Sequence, residues 1–159
     1  MSEALQTWEG QCQCGDIQYK VTGEALTLFA CHCTECQKQS SSAFGMGLWV
    51  EQESVEISGK DLKSWTRKLP SGREMECLFC PTCGSRLFHH GKGQEDLISI
   101  KAGTLNQTNQ LQPVAHIWTK SKQPWVQLPD NVLQYPENPE NFADMIDAWH
   151  ESQKKEASA

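Results

Sequence analysis

The chain has 159 residues, which is the size of one domain with its own hydrophobic core. Its 14 basic and 20 acidic residues give a formal charge of -6, which argues against nucleic-acid binding as the main function, because phosphate recognition needs a concentrated basic surface. The stretch Met1–Glu9 lacks the features of a signal peptide, and no later stretch is long and apolar enough to span a membrane. We therefore expect a cytoplasmic protein with one domain over 1–151 and a disordered tail over 152–159.

Residues 12–21 combine a cysteine pair with a predicted strand. One residue separates Cys12 from Cys14. Apolar and polar side chains then alternate in Ile17–Val21, as they do in a half-buried strand. The sequence therefore predicts a strand with two metal ligands just before its start.

Three cysteines, Cys31, Cys33 and Cys36, lie within six positions. A tight turn can carry the first two to the same side, and the third follows at the two-residue spacing that zinc sites use. The surrounding sequence predicts a short helix at 34–39. Zinc takes four ligands in structural sites, and in catalytic sites it takes three protein ligands plus an exchangeable position. A three-sulfur cluster therefore raises the question of a fourth partner.

The middle of the chain is predicted to be antiparallel β, with short strands separated by polar or glycine-bearing turns. The predicted strands are 44–50, 54–58, 62–68, 74–79, 86–89, 97–100 and 114–118. A helix is predicted near the C-terminus, with Asn138 as its N-cap and Pro139 at its first position. Its apolar face would carry Phe142, Met145, Ile146 and Trp149.

The strand predicted at 74–79 leads into a second cysteine pair, Cys80 and Cys83, in a C-x-x-C motif. Gly84 lets the backbone turn so that its amides can face the sulfurs. Eight cysteines at short paired spacings are more typical of metal ligands than of disulfides in a reducing compartment. The four paired cysteines, Cys12, Cys14, Cys80 and Cys83, make one complete four-thiolate set. Cys77 is left over and is predicted to lie on a strand face as a small hydrophobe.

The order of these motifs resembles the glutathione-dependent formaldehyde-activating enzyme family, which includes relatives of centromere protein V. The resemblance covers about residues 10–126 and has four elements. They are Cys12-Gln13-Cys14-Gly15, the segment Cys31–Cys36, the segment Phe79–Ser85, and His116-Ile117-Trp118 with Trp125. The resemblance implies a mainly β, Mss-four-like fold of several small curled antiparallel sheets around zinc sites, which the predicted C-terminal helix would complete.

The resemblance also implies two zinc ions per chain with different roles. A structural zinc would be held by Cys12, Cys14, Cys80 and Cys83. A catalytic zinc would be held by Cys31, Cys33 and Cys36. Relatives often carry Arg after the third clustered cysteine and Gly a few positions later, where this chain has Gln37 and Ser41. An arginine binds carboxylates in a bidentate way, and Lys38 offers only a point charge in its place.

The chemistry of three thiolates favours a thiol substrate over water. Three thiolates leave a zinc site at a charge of about -1, so that a bound water is acidified less than in a three-histidine site. Soft sulfur completes such a site well. We therefore hypothesise a carbon-sulfur lyase or synthase that acts on a small thiol-aldehyde adduct resembling S-hydroxymethylglutathione, with glutathione as a candidate thiol. Glu35 or His32 would move the proton.

Other interpretations of the same residues stay open. His32 points away from the sulfurs if Cys31 and Cys33 share a side, which favours packing, and Glu35 fits a solvated helix position. His116 fits the core as well as a site. The alternative function is a zinc-stabilised protein-binding module without catalysis, and an open coordination position would distinguish the two. A zinc deaminase is excluded, because that class needs H-x-E with P-C-x-x-C, and here Pro81 lies inside the C-x-x-C motif.

Overall fold

The computed structural model describes residues 7–158. Residues 1–6 and Ala159 lie outside the described residues. Residues 1–6 belong to the stretch that was predicted to lack a signal peptide. The chain is mainly β with a C-terminal helix, as predicted. The strands are β1 (Trp8–Gln11), β2 (Ile17–Val21), β3 (Thr27–Cys31), β4 (Gly45–Glu51), β5 (Val55–Gly59), β6 (Lys63–Lys68), β7 (Glu74–Phe79), β8 (Arg86–Gly91), β9 (Gln94–Lys101), β10 (Ala115–Ile117) and β11 (Leu133–Gln134). The α-helices are α1 (Thr34–Ser40) and α2 (Ala143–Ser158), and short 3-10 helices occur at Gln52–Ser54, Ala102–Thr104, Thr108–Gln110 and Thr119–Ser121.

The chain divides into two compact units, and it passes between them three times. Unit 1 contains the residues up to Ala25 together with Trp49–Gln110. Unit 2 contains Leu26–Leu48 and the residues from Leu111 onward. The organisation as a single domain over 1–151 stays a prediction.

Unit 1 is built from two sets of antiparallel strands. One set has the order β1-β2-β5, and the other has the order β9-β8-β7-β6. The alternation predicted for β2 is observed, since Ile17, Tyr19 and Val21 are buried and the residues between them are exposed. The ring of Tyr19 packs edge-on against Phe88 at 5.0 Å, and its hydroxyl lies 2.7 Å from Oγ1 of Thr104. Both rings are buried in the apolar core of this unit.

Unit 2 contains parallel strand pairs, which the alternation of apolar and polar residues in the sequence did not predict. Strand β10 pairs in parallel with both β3 and β11, which places Ile117 opposite Cys31. All five residues of β3 are buried, so its apolar run has no period of two. Helix α2 packs on β3, and the hydroxyl of Thr27 donates a hydrogen bond to the carbonyl of Met145 at 2.9 Å.

The start and the end of α2 both differ from the prediction. The helix begins at Ala143, where the backbone N–H donates to Oδ1 of Asn141 at 2.8 Å, so Asn141 caps it and Pro139 is not its first residue. The side chain of Asn138 accepts a hydrogen bond from Nε1 of Trp118 instead. The predicted disordered tail is helical as far as Ser158. Neither helix of residues 7–158 has the length and apolar content that a membrane crossing requires.

Candidate metal centres

Four cysteines of unit 1 converge as the spacing predicted. The sulfur atoms of Cys12, Cys14, Cys80 and Cys83 lie within 4.8 Å of one another. Two of the separations are 3.6 Å, from Cys12 to Cys14, and 3.8 Å, from Cys14 to Cys80. Four sulfurs at about 2.3 Å from a tetrahedral zinc are about 3.8 Å apart. The four-cysteine group therefore has the spacing and the donor chemistry that zinc needs.

Backbone amides and a hydroxyl surround these sulfurs. The N–H of Ile17 donates to Sγ of Cys12 at 3.3 Å, and the N–H of Thr82 donates to Sγ of Cys80 at 3.4 Å. Gly84 has a positive φ of 79° and closes the turn by donating to the carbonyl of Cys80 at 2.9 Å. Such contacts stabilise negative charge on the sulfurs and orient them toward an ion.

Ser85 is a contributor that the sequence reasoning did not single out, although it stands in the C-G-S motif. Its Oγ lies 3.2 Å from Sγ of Cys83, and this hydrogen bond is the main cause that lowers the pKa of Cys83 to about 5. The same oxygen accepts a hydrogen bond from the N–H of Gln13 at 3.0 Å. Ser85 therefore joins the two cysteine pairs, which lie far apart in sequence.

The second group, Cys31, Cys33 and Cys36, lies in unit 2. Its sulfurs also lie within 4.8 Å of one another. Within residues 7–158, the group has no fourth cysteine, histidine, aspartate or glutamate whose ligand atom lies equally close to the other three. Cys31 ends strand β3, and Cys33 and Cys36 lie at the start of α1. The two groups thus differ in ligand number, four in unit 1 and three in unit 2.

Cys33 is both a candidate ligand and the N-cap of α1. Its sulfur accepts a hydrogen bond from the N–H of Cys36 at 3.3 Å. The thiols of Cys31 and Cys36 hold the pKa of Cys33 well below its usual range, and the pKa of Cys31 is raised by hydrogen bonds with the other two thiols. Cys33 therefore lies at the positive end of the helix, where a thiolate is stabilised.

His32 is not part of the three-cysteine group, in line with the packing interpretation. The side chain is fully buried, and Nε2 lies 2.9 Å from Nδ1 of His116. The ring also lies 5.0 Å from that of Phe44. Within the described chain, the Nδ1 atom of His32 is buried without a hydrogen-bond partner. The sequence places these two histidines on separate predicted elements, so their contact could not be read from spacing.

The peptide carbonyl of His32 is held by two side chains that the sequence did not identify as part of the site. Nε2 of Gln37 donates to this oxygen at 2.8 Å, and the hydroxyl of Ser121 donates to it at 2.9 Å. Gln37 also donates to the carbonyl of Ser121 at 3.0 Å and accepts from Nε2 of Gln123 at 3.3 Å. Gln37 therefore fixes the loop that carries Cys31 and Cys33.

An open cleft of about 620 Å³ lies along α1 in unit 2. Its charged lining residue is Lys38, and the exposed indole of Trp125 forms one wall. The other lining residues are polar or small, namely Thr34, Gln37, Ser41, Ser42, Ala43 and Gln123. Glu35 is exposed in the first turn of α1, between Cys33 and Cys36. Three lining residues, Thr34, Gln37 and Lys38, belong to α1, the helix that carries Cys36.

Cys77 does not belong to either cysteine group among residues 7–158. Its side chain is fully buried on β7, as expected for a small hydrophobe, and burial raises the pKa of its thiol.

Comparison with known proteins gives one family match. A family model described as glutathione-dependent formaldehyde-activating enzyme matches residues 7–121. No curated protein matches the chain. Among solved structures, a crystal structure of a Rhodobacter sphaeroides protein is similar with a TM-score of 0.50 and 18% identity, over 64% of this chain and 91% of that chain. This structural likeness concerns the fold alone.

Proposed function

The chain belongs to the glutathione-dependent formaldehyde-activating enzyme family, and on that basis we propose that it is a zinc-dependent carbon-sulfur lyase or synthase acting on a small thiol-aldehyde adduct resembling S-hydroxymethylglutathione. The main support for this proposal is the difference in ligand number between the two cysteine groups. The four-cysteine group offers a full tetrahedral ligand set, whereas the three-cysteine group offers three sulfurs. Three protein ligands leave one position for an exchangeable partner, which is the arrangement of catalytic zinc sites.

Both groups fit zinc by their donor chemistry, since thiolates are ligands that zinc selects. Cys12, Cys14, Cys80 and Cys83 would hold a structural ion, and Cys31, Cys33 and Cys36 would hold a catalytic ion, giving two zinc ions per chain. The catalytic ion would supply a Lewis acid that favours the deprotonated form of an incoming thiol. The amide N–H of Cys36 and the contacts of Gln37 and Ser121 with the His32 carbonyl would keep the three sulfurs in place.

In the direction of synthesis, the thiol sulfur attacks the aldehyde carbon. The carbon-sulfur bond forms, the carbonyl double bond becomes a C–O single bond, and the proton lost by the thiol ends on that oxygen. Glu35 is the residue proposed to carry this proton, because it is exposed in the first turn of α1 between Cys33 and Cys36, while His32 is buried against His116. The cleft along α1 would hold the remainder of the thiol compound, with Lys38 near its carboxylate.

The experiment is a measurement of the exchange rate between formaldehyde hydrate and S-hydroxymethylglutathione by magnetisation-transfer NMR, with zinc-loaded protein. We expect the wild type to accelerate exchange and Cys33→Ser to lose the acceleration. Glu35→Gln should retain zinc and lose about 100-fold or more in rate, because a proton-transfer group usually contributes about 100-fold to 10,000-fold.

Cys77→Ala is the matched control, because it removes a thiol that belongs to neither group, and it should exchange at the wild-type rate. The proposal fails if zinc-loaded wild type and Cys33→Ser give the same exchange rate. In that case the zinc-stabilised binding module would be the better description.

A further inference from the structure

A cluster of charged and aromatic side chains lies on one face of strands β6 to β9 in unit 1. The strand register places Trp65, Cys77 and His89 side by side, and Ser99 continues the row opposite His89. Side chains two positions apart along a strand share a face. This face therefore also carries Arg67 on β6 and Lys101 on β9.

A bulge between Leu78 and Phe79 brings another cation onto this face. The register shift there pairs Phe79 with Arg86. Nη1 of Arg86 lies 3.2 Å from Nε2 of His89, and the guanidinium carbon lies 5.5 Å from the centre of the Trp65 ring. The Trp65 side chain is 51% exposed, so solvent and small molecules can reach this stack.

Positive charge predominates in this cluster. Burial, together with the positive charges of Lys101, Arg86 and Arg67, lowers the pKa of His89 to about 2. The same three cations act on Cys77, whose thiol pKa is nevertheless raised by burial. The opposite face of these strands carries an acid, since Glu76 accepts a hydrogen bond from the hydroxyl of Thr66 at 3.2 Å. Glu76 therefore does not lie on the face that carries Arg67 and Lys101.

We propose that the basic face, defined by Arg67, Arg86, His89 and Lys101, is a binding site for a small oxyanion, either a carboxylate or a phosphate. A guanidinium presents parallel N–H donors that match two oxygens of such a group. Trp65 supports the Arg86 guanidinium from one side by a cation-π contact. A neutral His89 that accepts from Arg86 through Nε2 carries its proton on Nδ1 and adds a donor. The site lies within unit 1 and does not depend on the proposed thiol chemistry.

The test is isothermal titration of zinc-loaded full chain at constant ionic strength with glutarate and, separately, with inorganic phosphate. We expect at least one of them to bind, and Arg86→Gln and Arg67→Gln each to weaken that binding by about tenfold or more. Binding of glutarate but not of phosphate would identify a carboxylate site. Binding of phosphate but not of glutarate would identify a phosphate site. The matched control is Lys20→Gln, which removes one positive charge from β2 in the other strand set and should change Kd by less than about twofold.

A second measurement covers the case in which an arginine variant does not fold. Bound anion next to the Arg86–Trp65 stack should change tryptophan fluorescence, and Trp65→Phe should remove this change while leaving titration heats in place. Arg86→Lys keeps the charge but loses the parallel N–H donors of the guanidinium, and it should bind the anion more weakly than wild type. The site is refuted if neither anion binds, if both arginine variants bind as tightly as wild type, or if Lys20→Gln weakens binding as much as they do.

Discussion

The Nε2 atom of His32 lies 2.9 Å from the Nδ1 atom of His116, and this contact joins the loop between Cys31 and Cys33 to strand β10. The backbone of His32 is attached to the same strand, since its N–H donates to the carbonyl of Ile117 at 3.0 Å. The loop that carries the candidate ligands is therefore fixed to β10 through both its side chain and its backbone.

Replacing His116 should destabilise unit 2, because His32 is fully buried and would lose the partner of Nε2. We expect His116→Leu to lower the free energy of unfolding by about 1–3 kcal/mol. His116→Asn is the matched control, because its amide can occupy the place of Nδ1 and should recover part of the loss. Urea unfolding of the zinc-loaded proteins measures this, and equal stabilities for the leucine variant and wild type would show that the contact contributes nothing.

The stability of the protein should fall on acidification through His89. Burial lowers the pKa of its imidazole to about 2 in the folded chain, against 6.5 for an ordinary histidine, so between these values the unfolded chain binds a proton that the folded chain does not. The free energy of unfolding therefore rises with pH in this window, by up to about 1.4 kcal/mol per pH unit for one such group. His89→Gln should show a smaller slope between pH 5 and about 6.5 in urea titrations. A variant with the wild-type slope would contradict this assignment.

Ser41 should be a site where glycine is stabilising. It ends α1 in the left-handed conformation, with φ 51° and ψ 41°, which costs energy for a residue with a Cβ atom. We expect Ser41→Gly to raise the free energy of unfolding by about 0.5–1 kcal/mol. Ser42→Gly is the control, because Ser42 is not among the described residues with positive φ, and it should lower stability. Thermal unfolding of both variants tests these opposite changes in stability. A Ser41→Gly variant less stable than wild type would show that no strain is relieved.

The cysteine groups and most strands could be predicted because their signals are local. C-x-C and C-x-x-C spacing predicted the four sulfurs of unit 1, and alternation predicted β2 with its observed bounds. The parallel pairing of β10 could not be predicted, since its partners lie far away in the chain and β3 has no alternation. The predicted start of α2 was wrong because Asn138-Pro139 has the pattern of a helix start. In the structure, the side chain of Asn138 accepts a hydrogen bond from Trp118, and Asn141 caps the helix.

Loss of a ligand should have different consequences in the two cysteine groups. Cys80→Ser removes a ligand from a group that connects residues near 12 with residues near 80, so we expect loss of the folded state or insolubility. Cys33→Ser disturbs a group that closes no long loop, and the fold should largely survive. Cys77→Ala, the control that touches neither group, should keep both metals. Circular dichroism with zinc analysis tests this series, and complete unfolding of Cys33→Ser would contradict the proposed division of roles.

Cobalt substitution tests whether the three-cysteine group binds a metal with one position open to a substrate thiol. Wild type loaded with Co²⁺ should bind two ions per chain, and glutathione should change the visible absorption as a fourth sulfur enters the tetrahedral site. Cys33→Ser should bind one ion, with a spectrum that glutathione leaves unchanged. A wild-type stoichiometry of one, or a two-ion spectrum that does not respond to glutathione or other small thiols, would show that the three-cysteine group does not offer a metal position to a thiol.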